Sequence, residues 1–180
     1  MHVKAKVMAF SGMLLALTIV CMLLGSVIET STLFLLAAAS YFVGIVLREF
    51  GEKTGVAFYL AGVLLGFIVA PNKFYVMSYA AMGLYILVVE LVWPRLAGLS
   101  GEQKRKRVFW IAKYAVFNVI YIPAVVFFQE LLFAHKLSTG VLLGVIAAGQ
   151  IGLFIYDKAY EYVQRDLWSK FRGRLFKSGN

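Results

Sequence analysis

The chain has 180 residues, 62% hydrophobic and 15% charged, and carries a formal net charge of +9. A water-soluble domain of this length needs a charged surface that this composition does not supply, so apolar side chains must face a bilayer as well as one another. The cations lie beside apolar runs and carry no reading motif, which excludes nucleic acid as a partner and leaves membrane lipid.

Six segments approach the ~20 mainly apolar residues that a helix needs to cross hydrocarbon: residues 7–28, 33–50, 54–71, 74–93, 108–134 and 138–157. They predict an all-α fold, an integral membrane bundle of six transmembrane helices over residues 1–160. A basic amphipathic cytoplasmic tail follows at 161–180. Lys4 and Lys6 precede the first segment, but its apolar run exceeds a signal-peptide core, so a retained first span is expected. Gly51, with Arg48, Glu49, Glu52 and Lys53 around it, predicts a turn between the second and third spans rather than one bent helix. Pro71 is expected to end the third span, with Asn72 supporting the reversal. Pro123 is expected to kink the fifth. In the tail, Leu167, Trp168, Phe171, Leu175 and Phe176 alternate with cations at a spacing that puts them on one helical face, suited to lying along headgroups.

Cation counting predicts the orientation. With the N-terminus inside, the inner segments hold Lys4, Lys6, Arg48, Lys53, Arg95, Lys104, Arg105, Lys106, Arg107, Lys158, Arg165, Lys170, Arg172, Arg174 and Lys177. The outer loops hold Lys73 and Lys136 alone, and Lys113 lies within the fifth span. The positive-inside rule then places both termini of a multi-pass cell-membrane protein in the cytoplasm.

Polar residues within apolar spans carry the most information, because each needs a partner away from water. Asn118 and Gln150 lie near the middle of the fifth and sixth spans and are expected to hydrogen-bond to each other. Glu90, Lys113 and Asp157 lie at one depth on three spans, where a charge-compensated cluster would clamp the fourth, fifth and sixth together. Small residues four apart allow close helix approach: Gly12 and Ala16, Ser40 and Gly44, Gly62 and Gly66, Gly140 and Gly144. AGVLLGFIVA (61–70) matches TGVLLGVIAA (139–148), but the flanking sequence does not extend the match.

With one cysteine, Cys21, and two histidines, no disulfide and no zinc-type ligand set is expected. No phosphate-cradling glycine loop and no acidic phosphotransferase signature occur either, so the chain reads as a non-enzyme without cofactor. The predicted outer loops instead bring mixed donors and acceptors beside aromatics: ETST (29–32), PNK (71–73) with Tyr75 and Tyr79, and QELLFAHKLST (129–139). That combination suits a small amphipathic ligand.

On its size, its topology and the first-span stretch KAKVMAFSGMLLAL (4–17), the chain resembles the S components of energy-coupling-factor vitamin transporters. The resemblance covers roughly residues 5–160. It implies a substrate-capturing subunit that binds a small vitamin-like molecule at the outer face, with a coupling transmembrane subunit and ATPases as partners. Glu29, Asn72, Lys73, Tyr75, Gln129, Glu130 and His135 would be the ligand contacts, and the face around Gly12 and Ala16 would dock the coupling subunit. Six-span membrane scaffolds of the MreD type share the topology and give the alternative: a non-transporting protein that binds protein partners.

Overall fold

Nearly every apolar run is wound as a helix, the form that pairs each backbone N–H with a carbonyl of its own segment. The computed structural model describes residues 2–98, 101–127, 129, 133 and 136–176, with side chains at 2–4, 29 and 173–176 left aside. In chain order the helices are α1 (His2–Val27), α2 (Thr32–Phe50), α3 (Glu52–Val69), α4 (Lys73–Arg95), α5 (Glu102–Phe127) and α6 (Thr139–Tyr162). A π-helical turn (Val163–Trp168) leads from α6 into α7 (Ser169–Phe176), and no strand occurs among the described residues. Six helices are long and apolar enough to cross a membrane, and they fall on the six segments expected from the sequence.

The breaks have local causes. Gly51 separates α2 from α3 with φ 86°, a backbone conformation that glycine adopts without steric cost. Its N–H donates to the Leu47 carbonyl at 3.0 Å and its own carbonyl accepts from Gly55 at 3.0 Å, so one residue closes one helix and opens the next. Ala70, which precedes Pro71, is extended (φ −73°, ψ 129°), as a residue before proline is pushed to be, and α3 stops there. α5 runs through Pro123 as one helix. The expected amphipathic tail begins without a break, because α6 continues into the π turn and α7.

The chain divides into two compact units, Met1–Pro94 and Arg95–Asn180. In the first, α1, α2 and α3 pack on one another, and Met22, Leu36, Val43, Val46, Val76, Tyr79 and Ile86 are fully buried. α4 lays side chains into α3: the Tyr79 ring sits over Gly62, where an added Cβ would fall 2.5 Å from the hydroxyl oxygen. Gly66 receives Met22 of α1 and Val76 of α4, each 3.1 Å from the same hypothetical position. In return Tyr59 of α3 lies against Gly83 and donates its hydroxyl to the Ala80 carbonyl at 3.0 Å. The Gly62 and Gly66 pair is thus a row of sockets for side chains.

In the second unit α5 packs on α6. The Tyr121 ring crosses the helix at Gly149 and its hydroxyl donates to the Val145 carbonyl at 2.8 Å. Trp110 stacks on Phe154 with centroids 5.9 Å apart, and Phe117 stacks on Tyr121 at 4.8 Å. Gly140 and Gly144, expected at a helix contact, have nothing among the described residues within 4 Å of a hypothetical Cβ.

Candidate functional site

Three places in the fold concentrate polar or open features, two in the first unit and one in the second. The first is a groove of about 570 Å³ between α1 and α3, lined by Met8, Ser11 and Gly12, by Phe50 at the end of α2, and by Thr54 and Ala57. Phe10 meets Phe50 edge to face with centroids 5.8 Å apart, fixing α1 against the end of α2. Gly12 is exposed and a Cβ there would meet nothing within 4 Å, while Ala16, one turn on, is exposed as well. The Ser11 Oγ is shielded from solvent and has no hydrogen-bond partner among the described residues. This small-residue face of α1 is therefore open, and its groove holds one polar atom with unused bonding capacity.

The second place is the α3–α4 reversal. Asn72 Oδ1 accepts the Phe74 N–H at 3.0 Å, an Asx turn that opens α4. Lys73 Nζ turns back on α3, donating to the Phe67 carbonyl and to the Ala70 carbonyl at 2.8 Å. A helix ends with unpaired carbonyls and partial negative charge, and an ammonium there satisfies both. Tyr75 is half-buried and its N–H donates to the Asn72 carbonyl at 3.3 Å. The reversal is thus braced by its own polar groups. Lys73→Ala is expected to lower stability by about 0.3–1 kcal/mol, read as a small fall in the unfolding midpoint in detergent.

The third place is the α5–α6 interface, where a polar ladder joins Lys113 and Asp157, two members of the expected cluster. Lys113 is buried and its ammonium donates to Asp157 at 2.7 Å and to Glu161 at 3.1 Å. The same nitrogen lies 4.5 Å from the Phe109 ring centroid and 4.9 Å from that of Trp110, within cation–π range. Lys158 meets Glu161 at 3.0 Å at the exposed end of the ladder. Deeper in the pair, Asn118 and Gln150 exchange hydrogen bonds at 3.1 and 2.8 Å, the contact expected from the sequence.

Glu90, in the first unit, has a partner there that the sequence did not suggest. Both of its oxygens accept from Arg48 in the last turn of α2, a bidentate pair that ties α2 to α4. Arg48 counts as a loop cation by its place in the sequence, yet its guanidinium reaches sideways to a carboxylate on a neighbouring helix. Glu161 joins the ladder without having been expected there, although it lies one turn beyond Asp157 and so on the same helical face.

Among the remaining expected ligand contacts, Gln129 donates to the Val126 carbonyl at 3.1 Å and accepts the Leu137 N–H at 3.0 Å, holding the connection before α6. Glu130 and His135 lie outside the described residues, as does the side chain of Glu29. No protein family, curated protein or solved structure matches this chain.

Proposed function

We propose that this chain is a multi-pass membrane protein with both termini in the cytoplasm, and that it works as a non-enzymatic subunit docking a partner's transmembrane helix in the α1–α3 groove. The observation that carries this reading is Gly12: exposed, unopposed within 4 Å, and part of an apolar groove that also holds the unbonded Ser11 Oγ. In hydrocarbon, helices associate through close packing at small residues, which this face offers at Gly12 and Ala16. The six apolar helices supply the spans, and the cation asymmetry between alternate connections supplies the orientation.

In the form implied by the resemblance, the partner is a coupling subunit with its ATPases, and the chain captures a small vitamin-like molecule outside. A second reading, a scaffold without ligand, is favoured by one observation: Asn72, Lys73 and Gln129 all bond to nearby backbone. A vitamin panel separates the two forms, since capture requires that one member raise the unfolding midpoint of the purified protein and a scaffold requires that none does.

The docking step shared by both is tested with Gly12→Leu and Ala16→Leu. Both positions are exposed and a Cβ at Gly12 meets nothing, so stability should hold within about 0.5 kcal/mol. Recovery of the partner, read by native mass spectrometry from mild detergent, should fall about tenfold or more, equivalent to about 1.4 kcal/mol. Unchanged recovery with intact folding would sink the docking proposal.

A further inference from the structure

The helical path from Thr139 to Phe176 is continuous, and at 1.5 Å per residue it covers about 55 Å. Hydrocarbon is roughly 30 Å thick, so the path outruns a membrane well before Phe176. Charge enters where the excess begins: Asp157 and Lys158 are followed by Glu161, Arg165, Asp166, Lys170 and Arg172. Yet large apolar side chains remain exposed beyond that point, at Tyr162, Leu167 and Phe171.

The π turn decides how these three are arranged. In an α-helix, residues three or four apart share a face, and a step of five lands well round the helix. Hydrogen bonding from i to i+5 instead stacks residues five apart. Val163–Trp168 is π-helical, which puts Leu167 on the same side as Tyr162, and Phe171 then follows Leu167 by the ordinary step of four. The result is one exposed apolar stripe, while Tyr160 and Gln164 are turned to the interior. Lys170 and Arg172, both exposed, stand one residue either side of Phe171, each about 100° round the helix from it. Arg165 is exposed as well. Cations flanking a narrow apolar stripe complement the headgroup and acyl layers of an anionic bilayer.

We propose that on the membrane the path bends at the π turn, a usual place for a helix to kink, so that the tail through residue 176 lies along the surface of an anionic phospholipid leaflet, with Tyr162, Leu167 and Phe171 at the acyl boundary and Lys170 and Arg172 at the headgroups. The π turn then does two things, redirecting the path and keeping Tyr162, Leu167 and Phe171 on the side that faces the lipid. This rests on the membrane reading above and adds a lipid-recognition surface to it.

The test uses the full-length chain in nanodiscs, with Cys21→Ala as background and spin labels at Leu167→Cys, Phe171→Cys, Arg165→Cys or Ser169→Cys. One set of discs is pure phosphatidylcholine and the other contains phosphatidylglycerol. In the anionic discs, accessibility to oxygen relative to a water-soluble nickel chelate should be several-fold higher at 167 and 171 than at 165 and 169. Neutral discs, or Lys170→Gln with Arg172→Gln, should reduce that contrast several-fold. If the chain enters the discs but 167 and 171 are as open to nickel as 165 and 169, this inference falls and the membrane reading stands. It falls in the same way if the stripe is covered only when a soluble protein is added, or if neutral discs give the same contrast. A chain that does not enter the discs at all overturns both.

Discussion

Lys113→Met is expected to destabilise the protein by about 3–5 kcal/mol, the usual cost of removing one partner from a buried ion pair. The Lys113 and Asp157 side chains are 3% and 0% exposed, so the carboxylate that loses its ammonium has no water to replace it. Asp157→Leu should cost a similar amount by stranding the ammonium, less whatever Glu161 recovers as its second acceptor. Lys113→Met combined with Asp157→Leu should regain most of the loss, because neither buried charge then remains to be compensated. Glu161→Gln should cost under about 1 kcal/mol, since a partly exposed pair is screened by solvent. Unfolding of the purified variants by graded denaturant in detergent measures all four. If the double variant is no more stable than the weaker single one, the pair is not the origin of the effect.

The second large effect is expected at Gly62. A methyl group there would lie 2.5 Å from the Tyr79 hydroxyl oxygen and 3.1 Å from the ring carbon that bears it. Tyr79 is fully buried and its hydroxyl has no hydrogen-bond partner among the described residues, so the ring cannot swing into solvent and its oxygen gains nothing by staying. Gly62→Ala should therefore cost about 1–3 kcal/mol, the range for overpacking a filled core. Tyr79→Phe alone should be neutral or should stabilise by up to about 1 kcal/mol, because it removes a buried polar atom that pairs with nothing. In combination, Tyr79→Phe should relieve part of the Gly62→Ala penalty, since the nearest clashing atom is gone while the ring carbon remains. Strictly additive effects in the same unfolding assay would mean that the hydroxyl does not occupy the glycine socket.

Both expectations turn on features that differ in how far the sequence reveals them. The Asn118–Gln150 bond is legible, because two amides at matched depth in successive apolar segments have few other groups to satisfy them. The Lys113–Asp157 pair is legible for the same reason. The partner of Glu90 is not: Arg48 lies near the Gly51 break, where a cation reads as solvated, and only the packing of α2 beside α4 brings it within reach. In the sequence Lys73 stands out as an outer cation suited to a ligand, whereas in the fold its stem turns back over the end of α3. A long flexible side chain carries no record in sequence of which way it turns.

The six helices and the breaks at Gly51 and Pro71 are written locally in the sequence, whereas α5 begins before the expected span, at Glu102, and α6 runs on past residue 157. Apolar length, Gly51 at a positive φ and Pro71 after an extended Ala70 are local constraints, acting over a turn or less, so the residues concerned are neighbours in the chain. Which face each helix turns to its neighbours follows instead from packing between helices. Gly12, Gly62 and Gly140 begin the same small-residue spacing, yet Gly62 holds the Tyr79 ring while Gly12 and Gly140 meet nothing among the described residues. That outcome depends on which large side chain arrives from another helix, and the spacing of small residues along one helix does not encode it.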